Sequence, residues 1–209
     1  MAQNNSLIFS ADPVVGGGLR VAPVGTDLST VVPAVTASTD LTAPAFSAWV
    51  DLGNMGDEGF VEKLARKNDK KRNFGGDIVK IVQSEFDATL SFTFMESLNG
   101  LVLQSIFGAA NVVITPATAS HGTQVRVNKN DMRVPDQSWL IDTYDSETRA
   151  RYRNWVPDGM IFDVGDIKVA TTDIISYKVT LQCFQTLLGD GTKAAIRTWT
   201  DDGVVVTGS

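Results

Sequence analysis

The sequence is poorest in the residues that carry most protein chemistry. Its 209 residues include one Cys and one His. A single cysteine excludes an intramolecular disulfide framework and any Cys-rich zinc module. A single histidine excludes metal sites that need two or more, and leaves a Ser–His–Asp triad one base to choose from. Also lacking is any uninterrupted apolar run near the ~20 residues that span a bilayer. The first six residues are uncharged and lead into no long apolar region, so neither a membrane partner nor a secretory signal is expected. Positive charge is short as well: 18 Lys+Arg stand against 24 Asp+Glu, a formal net charge of -6. A dedicated duplex-DNA reader would normally show a basic face instead. What remains is 43% hydrophobic and 20% charged, a globular composition. The length suits one ordinary domain with a proper core, or a core plus arms.

The chain changes character along its length. Residues 1–45 hold four charged residues (Asp12, Arg20, Asp27, Asp40) and four of the seven prolines (Pro13, Pro23, Pro33, Pro44), with three glycines at 16–18. Such a stretch favours extended and turn conformations and cannot form a compact unit alone. Yet Val14, Val15, Leu19, Val21, Val31, Val32 and Val35 need cover. It reads as an extended N-terminal arm, either docked or a loose terminus.

From residue 46 to 200 the text is that of one β domain, with 201–209 as a C-terminal tail. Residues 46–51 make a short strand closed by Gly53, Asn54 and Gly56, and 78–82 make another. The clearest is 86–94, where Phe86, Ala88, Leu90, Phe92 and Phe94 alternate with Asp87, Thr89, Ser91 and Thr93. Period-two alternation places one face in a core and the other toward solvent or a partner. Residues 96–107 switch to helical spacing through Leu98, Leu101, Val102 and Ile106, with Gly108 placed to end the helix. Gly100 opposes that reading, because an interior glycine costs about 1 kcal/mol against Ala. Strands are expected again at 123–128, 138–144 and 148–155, then after a Pro157-Asp-Gly turn at 160–164, 167–170, 173–185 and 194–200. About eight strands with one flanking helix give a mainly β sandwich or barrel.

Features that carry chemistry are few. His121 lies in a small-residue loop with no nucleophile setting such as Gly-x-Ser-x-Gly anywhere in the chain. Cys183 falls on the apolar face of residues 173–185, where a thiol packs as a small core residue. Glycine pairs at 75–76 and 189/191 complete no phosphate-binding pattern, and 188–193 reads as a hairpin turn. The acid pairs Asp57, Glu58 and Asp201, Asp202 lack the ligand spacing of a calcium loop. Arg149, Arg151 and Arg153 share one strand face, with Asp142, Asp145 and Glu147 nearby as cross-strand partners. No catalytic, metal or cofactor set is expected, and the chain does not read as an enzyme.

The most unusual stretch is residues 62–72. It carries six basic residues (Lys63, Arg66, Lys67, Lys70, Lys71, Arg72) and two acidic ones, so +4 on a remainder of -10. Together with its flanks it reads as a long basic loop over about 57–76. Three uses are open: a solvated loop, a nucleic-acid contact with Phe60 and Phe74 as the nearby aromatics, or a self-complementary contact with the acidic body of another copy. A head-to-tail contact of the last kind is heterologous and generates rings or open tubes.

The order of pieces resembles a known family. Gly18-Leu-Arg-Val-Ala-Pro-Val-Gly-Thr26 is followed by Trp49-Val-Asp-Leu-Gly53 and Gly56-Asp-Glu-Gly-Phe60. A charged segment then leads to Asn73-Phe-Gly-Gly-Asp-Ile-Val-Lys80, to Thr89-Leu-Ser-Phe-Thr-Phe-Met-Glu-Ser-Leu-Asn99 and to Ile106-Phe-Gly108. This resembles the major tail proteins, or tail tube proteins, of long-tailed bacteriophages of the siphovirus type, particularly those of actinobacterial hosts. The likeness is strongest over 18–108, and the second half matches only in general strand pattern. It implies a structural virion protein whose hexameric rings stack into the conduit for DNA ejection. It also implies tape-measure, tail terminator and distal tail proteins as partners, genomic DNA passing non-specifically through the lumen, and assembly in the host cytoplasm. The six basic residues would then contact the next ring. Rival readings are a capsid decoration or head–tail connector protein, and a carbohydrate-binding sandwich with Trp49, Trp139, Trp155 and Trp199 as stacking platforms.

Overall fold

The alternation in residues 86–94 becomes the frame of the fold. In the computed structural model, which describes residues 9–13, 18–28 and 48–204, every apolar residue from Ala88 to Phe94 is buried. The strands in chain order are β1 (Asp12–Pro13), β2 (Leu19–Pro23), β3 (Val50–Asp51), β4 (Met55–Arg72) and β5 (Ile78–Phe94). One helix follows, α1 (Gly100–Phe107), and then β6 (Val112–Thr115), β7 (Gln124–Val127), β8 (Gln137–Tyr144) and β9 (Arg151–Val164). The chain ends with β10 (Tyr177–Cys183), β11 (Thr186–Leu187), β12 (Lys193–Ala194) and β13 (Arg197–Asp201). Most of the expected arm, including Val14, Val15, Val31, Val32 and Val35, lies outside the described residues, as does the tail beyond residue 204.

Nine strands form one antiparallel sheet along the path β3-β2-β8-β9-β10-β5-β4, with β1 added to β8 and β13 added to β9. The β6–β7 and β11–β12 pairs form two small hairpins. The mainly β fold with one helix is as the sequence pattern suggests. Its path stays open at β3 and β4 among the described residues, so it is not a closed barrel.

Two apolar clusters cover opposite faces of the central strands. The larger takes Leu90, Phe92 and Phe94 of β5, Val179 and Leu181 of β10, and Trp139 and Ile141 of β8, capped by Val102 and Ile106 of α1. The smaller takes Leu140, Trp155, Leu28, Trp49 and Leu188, with Trp199 packed against it. Strand β8 therefore buries both faces, which accounts for its continuous Trp139-Leu-Ile141 run where a half-buried strand would alternate. The segment read as part of an arm supplies β2, which pairs with β8 from Leu19↔Ile141 to Pro23↔Gln137. Leu19 and Leu28 are wholly buried.

Helix α1 starts four residues later than its pattern suggests. Asn99 caps it, its side-chain Oδ1 accepting from the Leu101 N–H at 3.0 Å. Gly100 belongs there because a Cβ at that position would overlap Ile114 of β6. The helix thus packs close on the β6–β7 hairpin, and a larger residue at 100 would have to displace the Ile114 side chain.

Two sequence expectations in the second half of the chain fail at the backbone. No turn forms at Pro157-Asp-Gly; β9 runs through it. Proline is tolerated there because the ladder changes partner: residues 151–155 pair with β13 and residues 159–164 with β10. The register on β8 also shifts between Gln137 and Trp139, and such irregularities are where a residue without an N–H fits. Residues 167–170 form no strand; the loop is held by a Lys168–Asp173 ion pair at 2.8 Å.

Candidate assembly surface

The six basic residues singled out in the sequence do not sit in a loop. They lie on β4, which pairs with β5 in one long hairpin from Phe60↔Phe92 to Arg72↔Ile78. The expected loop over 57–76 is corrected to a strand that turns only at 73–77. Charge density concealed it, because a strand solvated on both faces needs no alternation. The pairing is imposed from β5, whose C-terminal half is anchored in the core and whose Ile78, Val79, Ile81 and Val82 favour extended backbone.

Each basic residue has a definite place. Lys63 stands opposite Thr89. Arg66 lies over the Phe86 ring, 5.4 Å from its centroid, and Lys67 meets Glu85 at 2.8 Å. Lys70 and Lys71 stand opposite Ile81 and Lys80. The Arg72 Nη1 donates to the Gly76 carbonyl at 2.6 Å. Every residue from 67 to 85 is exposed, so the outer hairpin extends away from the body. It brings apolar surface with it: Val79 is 62% exposed, Ile81 58%, and Phe74 at the tip fully exposed.

The tip is ordered by its own hydrogen bonds. The Asn73 N–H donates to the Asp77 carbonyl at 2.9 Å, and the Gly76 N–H to the Asn73 carbonyl at 3.0 Å. The Asp77 N–H donates to the Asn73 side chain at 2.8 Å. Gly76 has φ 90°, a conformation that favours glycine. This turn holds Phe74 outward on a fixed base.

At the root of the same hairpin lies a groove of about 490 Å³. Phe9, Phe60 and Tyr152 wall it, and Asp57, Glu58 and Glu62 edge it, with no Lys or Arg in its lining among the described residues. Tyr152 sits 5.9 Å from Phe9 and 6.4 Å from Phe60, ring centre to ring centre. Glu62 accepts from the Asn154 side chain at 3.2 Å, and Lys178 stands 3.8 Å from Glu58. No local pattern in the sequence marks this groove, because its residues come from three segments far apart in the chain.

The polar face of β5 and β10 is the other open surface. Thr89, Ser91 and Thr93 alternate with buried partners and stand beside Gln182, Thr180 and Lys178. The Ser91 and Thr180 hydroxyls meet at 3.2 Å, and the Gln182 amide donates to Asp87 at 2.7 Å.

The remaining sequence candidates resolve into structure. Cys183 is buried in the larger cluster, and burial, with Glu62 and Asp87 nearby, pushes its thiol up to about 12. Trp139 and Trp155 are fully buried, Trp49 is buried, and Trp199 stacks on Trp155 at 6.0 Å. They are core residues, which removes the stacking platforms of the carbohydrate-binding reading. Arg153 and Asp142 form an ion pair with almost no exposure, whereas Arg149 sits in a turn at φ 64°. Asp145 is occupied by backbone, accepting from the N–H groups of Glu147 and Thr148. His121 belongs to a loop, its Nδ1 2.8 Å from the Gly122 carbonyl. The 188–193 turn closes β11 on β12 as expected.

Comparison with known proteins gives the family. No curated protein matches the chain. Among solved structures, the tube-terminating cap of the anti-feeding prophage aligns at a TM-score of 0.46 and 9% identity, covering 96% of this chain and 100% of that one. A second is the sheath–tube complex, in its extended state, of an extracellular contractile injection system; it aligns at a TM-score of 0.37 and 10% identity, covering 70% of this chain and 86% of that one. The family described as "Phage tail tube protein" matches residues 1–205. The chain belongs to that family, and is a structural component of the phage tail.

Proposed function

We propose that copies of this chain close into hexameric rings, and that the rings stack into the hollow tube through which the genome is ejected. The observation that carries this reading is the outer hairpin. An isolated two-stranded hairpin is marginal in water, and exposed apolar surface of this kind marks an interaction site. The acidic remainder of another copy has the complementary charge. Lys63, Arg66, Lys67, Lys70, Lys71 and Arg72 are accordingly assigned to contact between rings. The polar face of β5 and β10 suits a wet wall, and a net negative body repels DNA phosphates so that the genome slides without sticking. Tape-measure, terminator and distal tail proteins are the expected neighbours along the tail, with assembly in the host cytoplasm.

The assignment of the basic residues is tested by reversing charge at Lys70, Lys71 and Arg72 together. All three are exposed, so the circular dichroism spectrum and melting temperature should stay those of the unaltered protein. Stacked rings should be lost from micrographs. Tubes of unchanged number and length in that variant would overturn the assignment.

A further inference from the structure

The tip and the root of the β4–β5 hairpin are complementary to each other. The tip presents one fully exposed aromatic ring, Phe74, beside Lys70, Lys71 and Arg72. The root presents an aromatic-walled groove edged by three carboxylates. Its volume falls in the range of roughly 300–1,000 Å³ that encloses a drug-sized molecule, so a phenyl ring enters with room for the stems of flanking basic side chains. Phe9 and Phe60 are both tilted against Tyr152, an arrangement that one more ring extends by edge or offset contact. Asp57 and Glu58 are exposed at the groove edge, open to the ammonium and guanidinium groups beside that ring, and Glu62, held by Asn154, adds its charge from deeper in.

The two halves of this match cannot meet within one molecule. From Phe60 to Arg72 the strand is paired with β5, with two local register shifts, and at about 3.3 Å per residue that ladder alone holds the root and the tip roughly 40 Å apart. The partner must therefore be a second copy. We propose that Phe74 of one copy seats in the Phe9–Phe60–Tyr152 groove of the next, with Lys70, Lys71 and Arg72 set against Asp57, Glu58 and Glu62. Tip and root are different surfaces, so the contact is heterologous, and each copy offers one of each. Contacts of that type propagate without a partner of any other kind. This inference rests on the assembly reading above and names its contact.

Crosslinking tests it with the anchoring ring left in place. Gly75 and Asp57 are both exposed and are replaced in separate chains as Gly75→Cys and Asp57→Cys; the native Cys183 is buried. Oxidising a mixture of the two should give a disulfide-linked dimer that neither variant forms alone. Tubes visible in micrographs without that dimer would overturn the groove contact and leave the assembly reading standing, as would self-crosslinking of Gly75→Cys alone. If the unaltered chain forms no tubes under any condition, the assembly reading itself falls, and the contact with it. A second variant, Phe74→Asp, should keep the native melting temperature and raise the concentration needed for assembly about tenfold or more. Assembly at the unaltered concentration would contradict the proposal.

Discussion

Asp142 and Arg153 face each other across β8 and β9, with side chains 0% and 4% exposed. The Arg153 Nε donates to Asp142 Oδ2 at 3.1 Å. Burial pushes the Asp142 carboxyl above its usual range, and the Arg153 charge opposes that shift. Such a pair adds little over a well-packed apolar pair, but breaking it strands a charge. Asp142→Ala should therefore destabilise the protein by about 3–5 kcal/mol, and Asp142→Leu combined with Arg153→Met should recover most of that loss. Urea denaturation midpoints check both. Cys183 gives a simpler expectation: a thiol held near 12 by burial should not react with an aromatic disulfide reagent at pH 8 until denaturant is added. Rapid native labelling would contradict its place in the core.

Carboxylates at two turns set the acid response. Hydrogen bonds from Ser146 lower Asp12, and backbone N–H groups of Thr148 and Ser10 lower Asp145. Asp190 is lowered by its bonds from Arg197 and Thr192. A depressed folded-state value stabilises above the ordinary Asp range near 3.9 and is lost as pH falls through the depressed value. Asp142 and Asp158 are raised by burial and run the opposite way, favouring the fold on acidification. As pH falls through these depressed values, the amides of Glu147, Thr148 and Thr192 should lose hydrogen-exchange protection before those of residues 88–94. Simultaneous loss would mean that these turns are held by something other than their carboxylates.

At the scale of elements, β5 is one strand in two environments. Residues 88–94 alternate between core and surface, whereas residues 78–85 are exposed on both faces. Leu90→Ala should cost about 2–5 kcal/mol, and Ile81→Thr within about 0.5 kcal/mol of nothing, both read from denaturation midpoints. The same division explains what the sequence revealed. The alternation of 86–94 and of 177–183 was legible because burial enforces it. The outer hairpin was not, since strands wet on both sides carry no period and the basic run looks like a loop. Pro157 reads as a turn in any local window; only the partner change along β9 makes room for it. Gly100 argues against a helix until Ile114 is seen to occupy the space of its missing side chain. The groove at the hairpin root was illegible for a different reason: Phe9, Phe60 and Tyr152 are joined by topology, and no local pattern marks them.

For the whole molecule, the net charge of -6 hides a division. A +4 segment, residues 62–72, runs from the root of the hairpin out along β4 toward its tip, and the remaining -10 includes Asp57 and Glu58 at the hairpin root. If stacking joins the two, raising the ionic strength should weaken it, because the Debye length falls from ~10 Å at 0.1 M to ~3 Å at 1 M. Light scattering across a salt series checks this, and assembly strengthened at low to moderate salt would point to contacts of another kind. The most direct test of the central claim is electron microscopy of the purified chain over a range of concentrations, alone and with tail-assembly partners. Hollow tubes of stacked six-fold rings are expected. A protein that remains monomeric at high concentration, with and without those partners, would contradict it.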